Sequence, residues 1–504
     1  MRTESVRETG MRLSELLGGI PGVRFAGDGD PLIASIVQDS REAGPGCLFA
    51  VLPGAGERGG DYAADAVRRG AAALLLPDSA RIVSRVPCLL ARDARKALGE
   101  AADVFYRHPS RSLDLIGVTG TNGKTTSAYL IRHIFNLAGR RAGLLGTVEY
   151  DLGDRVEPAP LTTPGAVRFT RSLAEMLKAG CRAAVVEASS HALAQERVWP
   201  HRFAAAVFTN LTRDHLDYHG DMEDYLQAKH SLFSRLDAEA SAVFNLGDPA
   251  SPRLAGDCRA RLSGYVLADA AGSGRPAPDF PGDVFLARII DSGLAGQSFE
   301  LSGPGVSRCF RSPLVGRHNA ENSLGAILAA LALGVPAEAI GEALAGFSGV
   351  PGRLERIQSD SGTMAFVDYA HTDDALRSVL SVLRPLAAGK LITVFGCGGD
   401  RDRGKRPLMA RAAEELSDQV VVTSDNPRTE NPYAIIDEIM AGFVHPEAVV
   451  VEADRERAVA LAAGFAGPGD AILVAGKGHE DYQIVGTVKR RLDDRELLRN
   501  AFRV

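Results

Sequence analysis

The chain has 504 residues, which at roughly 100–200 residues per domain suggests about three domains. Apolar residues make up 45% and charged residues 24%, the balance of a soluble globular protein with several cores, and this excludes a largely disordered chain. A formal net charge of −6 excludes a strongly basic nucleic-acid binder, so an anionic substrate must be met by locally placed positive charge.

The N-terminal MRTESVRETGMRL has no apolar stretch that could serve as a signal peptide, and the longest apolar run, AAALLL at 71–76, is too short to cross a bilayer. Cys47, Cys88, Cys181, Cys258, Cys309 and Cys397 show no C-x-x-C spacing and read as reduced thiols, so a cytoplasmic protein without membrane insertion is expected. LFAVL (48–52) reads as a strand, DYAADAVRRG (61–70) as a helix ending at Gly70, and AAALLLP as the next strand. RHPSRSLD (107–114) reads as a linker.

From Leu113 a β-rich run, LIGVTG, enters a glycine turn and then the helical stretch KTTSAYLIRHIFNLAG. AAVVEAS (183–189), AAAVFTNL (204–211) and SAVFNL (241–246) read as strands with helical patterns between them, which predicts a largely parallel α/β core. GSGRPAPDFPGD (272–283) reads as a surface loop, and LVGRHNAENSLGAILAALALG (314–334) as a turn followed by a buried helix. Beyond Gly346, FVDYA (366–370), LITVFGCG (391–398), QVVVTSD (419–425) and DAILVAG (470–476) read as strands, each ending in a short polar or glycine motif. Ligands of open α/β sheets sit at such strand ends.

The segment Gly120, Thr121, Asn122, Gly123, Lys124, Thr125, Thr126 has the residue types that a triphosphate demands. Glycines let backbone N–H groups wrap phosphates, the following helix adds its positive end, a lysine reaches the β- and γ-phosphates, and a Thr125 hydroxyl suits Mg²⁺. It departs from the general pattern, which asks for glycine where Val118 stands.

GTNGKTT resembles the phosphate loop of the Mur ligase family. Further matches follow in that family's order: TTP (162–164), EASSHAL (187–193), NLTRDHLDYH (210–219), YLQAKHSLF (225–233), GRHNAENSLGA (316–326), PGRLE (351–355), DYAHTDDAL (368–376), FGCGGDRDRGKRP (395–407), DNPR (425–428) and AGKGHE (475–480). The resemblance covers nearly the whole chain. It implies three α/β domains: residues 1–110 for a UDP-linked substrate, a central parallel-sheet ATPase domain with the phosphate loop over 111–346, and a Rossmann-like amino-acid domain over 347–504. It also implies ATP as co-substrate, Mg²⁺, small-molecule substrates only, and a monomer. The activity implied is addition of an amino acid to UDP-N-acetylmuramoyl-L-alanyl-D-glutamate through an acyl phosphate. The DNPR form points to meso-2,6-diaminopimelate rather than L-lysine.

Residue by residue, the resemblance makes Glu187 a Mg²⁺ ligand, with His215 and Lys229 at a second Mg²⁺ and Lys229 carbamylated (N6-carboxylysine). By itself Lys229 reads as a helix-surface lysine, and a lone histidine is more often structural than a ligand. Asn319, Arg353 and Asp368 become nucleotide contacts, with His371 nearby; Asn319 also suits a helix cap. Ser40, Thr162, Thr163, Ser189, Gln195 and Arg197 become contacts to the UDP substrate, with uracil contacts around Ala55 to Glu57. Arg401, Asp425, Asn426, Pro427, Arg428, Gly476 and Glu480 become the diaminopimelate site. An arginine there has a physical reason, since guanidinium binds carboxylate bidentately and diaminopimelate brings two. Taken alone, the RDRGKR run reads equally as a solvated basic surface.

Overall fold

The computed structural model describes residues 10–53, 59–80, 84–268, 280–293, 295–358 and 362–502. The expected uracil contacts at Ala55 to Glu57, and most of the loop expected at 272–283, lie outside the described residues. Among the described residues the fold is mixed α/β with three main sheets, of five, eleven and six strands in chain order. It divides into two compact units. The first comprises Met1–Arg288, Leu301–Arg308 and Glu321–Leu344, and the second Ile289–Glu300, Cys309–Ala320 and Ala345–Val504.

The first unit holds the five-stranded sheet and most of the eleven-stranded one. The expected small α/β unit is there: strands Cys47–Ala50, Ala73–Pro77 and Cys88–Ala91 run parallel, with helix Gly59–Arg68 between the first two. The expected linker contains a 3-10 turn, Pro109–Arg111, and runs directly into strand Asp114–Thr119. Contacts across this junction tie the two sheets into one unit. Helix Ala94–Phe105 presents Gly99, where an added Cβ would come within 2.2 Å of the Trp199 carbonyl oxygen. Beside it the Trp199 indole N–H donates to Glu100 (3.1 Å), and the Lys96 ammonium and Arg235 guanidinium lie 5.1 and 5.2 Å from its ring.

In the large sheet, strand Asp114–Thr119 runs parallel between Ala183–Glu187 and Ala205–Phe208. Leu115, Ile116 and Val118 are buried, as expected of a parallel strand covered on both faces. The register pairs Glu187 with Val118 and Phe208 with Thr119, so the carboxyl ends of three strands open on one edge, beside the phosphate loop. The sheet also carries strands the sequence reading did not anticipate: the antiparallel edge Glu149–Asp151 and Val156–Pro158, and the long strands Asp283–Gly293, Gly296–Gly303 and Val306–Ser312.

The second unit's sheet contains all four expected strands, Met364–Asp368, Leu391–Phe395, Gln419–Val422 and Ala471–Ala475, mutually parallel, with Glu355–Gln358 antiparallel at one edge. Leu376 and Leu380, Met409, and Ile436 and Ile439 from three helices pack on it. A two-stranded hairpin, Tyr482–Val485 with Val488–Arg491, follows the last motif.

Candidate active site

Gly123 caps helix Lys124–Leu137 with φ +83°. A Cβ there would meet Asn322 Oδ1 at 2.2 Å, and one at Gly120 would meet Thr209 Oγ1 at 1.9 Å, so the loop is glycine both for conformation and for close approach. Its backbone is stitched to the neighbouring strand end: the Thr121 N–H donates to the Asn210 carbonyl (2.9 Å) and the Asn122 N–H to the Asn210 side chain (2.8 Å). The Lys124 ammonium lies over the loop, donating to the carbonyls of Gly120 (3.0 Å) and Thr121 (2.8 Å). Thr125 and Thr126 begin the helix with buried side chains.

Glu187 is fully buried. Its Oε1 accepts the Thr147 N–H (2.8 Å), and its Oε2 accepts the hydroxyls of Thr125 (2.9 Å) and Thr147 (3.0 Å). Thr147 is a site residue that the sequence reading missed; it precedes the strand Glu149–Asp151, which was itself not anticipated.

Lys229 is no surface lysine. It is 1% exposed on helix Met222–Phe233, donates to the Gly120 carbonyl (2.8 Å), and sits 4.3 Å from the Tyr225 ring centre. Burial pushes its pKa well down and the Lys124 charge adds to this, while Asp214 opposes. A depressed pKa favours the neutral amine, the form that reacts with CO₂.

His215 is exposed, with φ +54°, and joins an aromatic cluster, 4.9 Å from His191 and 6.2 Å from Tyr225 between ring centres. The Tyr225 hydroxyl meets Thr121 Oγ1 at 3.1 Å, which connects this cluster to the loop. His219 is buried against the Ser190 hydroxyl at 2.9 Å.

The residues expected at the UDP substrate gather next to Glu187. The Thr163 hydroxyl donates to the Glu187 carbonyl (2.5 Å) and accepts the Ser189 N–H (3.1 Å). Arg197 donates to the Thr163 carbonyl (3.0 Å) and to Gln195 Oε1 (2.7 and 3.0 Å), and Thr162 lies 3.2 Å from the Thr147 hydroxyl. Burial lowers the Arg197 pKa. Ser40 opens a separate 3-10 turn in the first sheet's domain. Two residues before it, Gln38 meets Gly165, where a Cβ would lie 2.9 Å from its Nε2. Gly165 follows the TTP motif that holds Thr162 and Thr163, so this contact brings the Ser40 segment to that motif.

In the second unit, Asp368 ends its strand and is buried. It accepts the N–H groups of Leu354 and Ala370 (2.7 Å each); burial raises its pKa while Arg353 and those two donors oppose. The Arg353 guanidinium lies 4.9 Å from the Tyr369 ring centre, and His371 follows Tyr369 with Nδ1 at 2.8 Å from its carbonyl. Asn319 donates to the Val315 carbonyl at 2.9 Å. In the first unit it is Asn322 of the same GRHNAEN motif that meets the phosphate loop at Gly123 and the following helix at Ser127 (3.5 Å); sequence reasoning singled out Asn319 and passed over it.

The residues expected at diaminopimelate follow the ends of three consecutive strands of this sheet, Ala471–Ala475, Leu391–Phe395 and Gln419–Val422. Asp425 and Asn426 are buried, and Asn426 Nδ2 donates to Glu480 (2.9 Å). A Cβ on Gly476 would meet Asp425 Oδ2 at 2.5 Å, and one on Gly399 would meet the Pro427 carbonyl at 2.0 Å. Arg428, with φ +51°, donates to the Gly399 carbonyl (2.7 Å) and flanks Gly398 together with Arg401. The RDRGKR run is not uniformly solvated. Arg406 is fully buried between Glu430 and Glu438, and Lys405 donates to the His371 carbonyl (2.8 Å).

The sequence profile of the Mur ligase middle domain matches residues 118–330, and that of the Mur ligase glutamate ligase domain matches 352–478. A protein of Thermosynechococcus vestitus described as UDP-N-acetylmuramoyl-L-alanyl-D-glutamate--2,6-diaminopimelate ligase is 46% identical over 475 residues, which is 94% of this chain and 93% of the relative. A protein of the same description from Gloeobacter violaceus is 47% identical over 494 residues, covering 97% and 98%. A solved structure of a ligase of that description matches with a TM-score of 0.68 at 33% identity, covering 94% of this chain and 95% of that one. This chain belongs to the Mur ligase family.

Mur ligases use ATP with Mg²⁺, and the donor set here fits a hard cation: the Glu187 carboxylate and the Thr125 hydroxyl are both oxygen donors, 2.9 Å apart, beside the phosphate loop. Among the described residues no group of three or more His, Cys, Asp or Glu side chains could hold a metal. Also among the described residues, no helix is long and apolar enough to cross a membrane, and all six cysteines are free thiols.

Proposed function

We propose that this chain is an ATP-dependent amide ligase that adds meso-2,6-diaminopimelate to UDP-N-acetylmuramoyl-L-alanyl-D-glutamate in peptidoglycan precursor synthesis. The observation that carries the amino-acid choice is that Arg401 and Arg428 flank Gly398 while Asp425 lies against Gly476 and Glu480 bonds Asn426, all at the ends of consecutive strands. Cations and anions delivered by consecutive strand ends suit the zwitterionic far end of diaminopimelate, whereas lysine offers only an ammonium.

The γ-carboxylate of D-glutamate attacks the γ-phosphorus of ATP, the bond to the ADP oxygen breaks, and an acyl phosphate forms. The amine of diaminopimelate then attacks the acyl carbon; phosphate leaves and the amine loses a proton. Gly120, Thr121, Asn122, Gly123, Thr125 and Thr126 hold the phosphate chain, with Asn319, Arg353 and Asp368 as further nucleotide contacts. Lys124 exchanges its carbonyl partners for phosphate oxygens and offsets charge on the transferring group. Thr125, Glu187, His215 and a carbamylated Lys229 hold Mg²⁺, which supplies further charge compensation when bound. Ser40, Thr162, Thr163, Ser189, Gln195 and Arg197 orient the UDP-linked substrate, and Pro427 and Asn426 complete the diaminopimelate site. No protein nucleophile is required; catalysis is positioning and electrostatics. The reading includes domain limits near residues 110 and 346, a monomer, and a cytoplasmic location where ATP is supplied.

A phosphate-release assay with ATP, the UDP-linked dipeptide and each candidate amino acid in turn tests it. Release is expected only with diaminopimelate; release that ignores the amino acid would overturn the ligase reading, and release driven by lysine would overturn the substrate choice.

A further inference from the structure

Lys477, in the AGKGHE motif, has no role in the site as described so far. Its side chain is fully buried. Its ammonium donates to Asn426 Oδ1 (3.0 Å) and to the Tyr482 carbonyl (2.7 Å), and lies 3.6 Å from Asp425 Oδ1 and 3.9 Å from Glu480 Oε2. Asn426 in turn bonds Glu480, so three of the residues assigned to the incoming amino acid share one buried cation. The hairpin after it closes the same network: Gln483 Nε2 donates to the Asp425 carbonyl (2.7 Å), the Ile484 N–H to Asn426 Oδ1 (2.9 Å), and the Arg428 N–H to the Ile484 carbonyl (3.1 Å).

Two carboxylates this close would repel each other, and a buried cation between them is the physical remedy. We propose that Lys477 is a positioning residue for amino-acid selection: acting through Asp425, Asn426 and Glu480, it leaves one net negative charge to receive the single distal ammonium of the diamino acid. This rests on the reading that these strand ends take the incoming amino acid. Glu480 faces Asp425, Lys477, Tyr482, Tyr369 and Arg455; burial and Asp425 raise its pKa, while Asn426 and Lys477 hold it down. Removing Lys477 lets Glu480 take up a proton at higher pH and makes the site more negative by one charge. The second change penalises a substrate whose far end also carries a carboxylate more than one whose far end is only an ammonium.

The test is steady-state kinetics of Lys477→Met, Glu480→Gln and the double variant, with diaminopimelate and lysine as acceptors across pH. Lys477→Met is expected to raise KM for diaminopimelate roughly 10- to 100-fold, the scale of a lost charged hydrogen bond. KM for ATP and kcat at saturation are expected to stay put, the acid limb of kcat/KM to move to higher pH, and the preference over lysine to narrow. In the Glu480→Gln background the same substitution is expected to cost little, since Asp425 then supplies the one net negative charge by itself. If the single variant does not fold, the double variant removes the cation together with one of its two carboxylate neighbours and supplies the comparison with Glu480→Gln. Equal costs in both backgrounds, or an unmoved acid limb, would overturn the proposal. Wild-type phosphate release that ignores every amino acid supplied would instead overturn the ligase reading and this proposal with it.

Discussion

Replacing Glu187 by Gln separates the catalytic use of this carboxylate from its structural one. Oε1 takes a backbone N–H, which cannot reverse its direction, and Oε2 takes two hydroxyls, which can rotate and accept instead. A glutamine therefore fits with its oxygen at the Thr147 N–H and its amide nitrogen toward the hydroxyls of Thr125 and Thr147. Three hydrogen bonds to a charged acceptor become neutral ones, forgoing on the order of 3 kcal/mol, since charged bonds contribute about 1.5–3 and neutral ones about 0.5–1.5 kcal/mol. Against this, neutralisation removes the cost of keeping an anion dry, effectively several kcal/mol. The two nearly cancel, so stability is expected to stay within about 2 kcal/mol and Tm within a few degrees. Activity has no such compensation: kcat is expected to fall on the order of 10²- to 10³-fold, the usual cost of one preorganised electrostatic group, and the Mg²⁺ concentration for half-activity to rise. Calorimetric melting and phosphate release across a Mg²⁺ series measure both. Activity within about threefold of wild type, or a Tm loss well beyond about 8 °C with unchanged Mg²⁺ dependence, would refute the reasoning.

Arg428→Ala is expected to weaken use of diaminopimelate roughly tenfold or more relative to lysine, and an equal loss for both would remove Arg428 from the specificity argument. Gly352→Ala would bring a Cβ within 2.0 Å of the His479 backbone nitrogen at φ +66°, so the Arg353 loop must shift; KM for ATP is expected to rise, measured against an unchanged KM for the UDP substrate. His201 is fully buried beside Asp103, Ser110 and Thr170, and burial holds its pKa at about 4 against an ordinary 6.5. The unfolded chain binds the proton first, so the stabilisation present above 6.5 is lost as pH falls from 6.5 toward 4. At about pH 5 this amounts to about 2 kcal/mol, and melts of wild type and His201→Gln are expected to converge by that amount between about pH 7 and pH 5; parallel pH profiles would contradict it.

The parts of the site that the sequence made legible are those whose chemistry is local. The turn Gly120–Gly123 announces itself because backbone conformation, helix start and lysine lie within one short segment, and Glu187 stands out as a carboxylate closing an apolar strand. What stayed hidden depends on distant chain. Lys229 looks like any helix lysine until its ammonium is found at the Gly120 carbonyl, 109 positions away. Thr147 reaches Glu187 from an edge the apolar pattern did not mark, and the strands Gly296–Gly303 and Val306–Ser312 alternate polar with buried positions and so carry no strong apolar run. The basic run at 401–406 shows the limit most directly. Composition gives all its cations one meaning, yet Arg406 is enclosed by Glu430 and Glu438, Lys405 is held on His371, and Arg401 remains at the site with Arg428. Lys477 follows the same rule from the other side: between glycines it reads as part of a turn, and only the fold brings Asp425, Asn426 and Glu480 around it. A charge in this sequence therefore gains its meaning from the carboxylates and carbonyls the fold delivers to it. For this reason strand-end motifs, read singly, name the chemistry but leave its positioning residues unassigned.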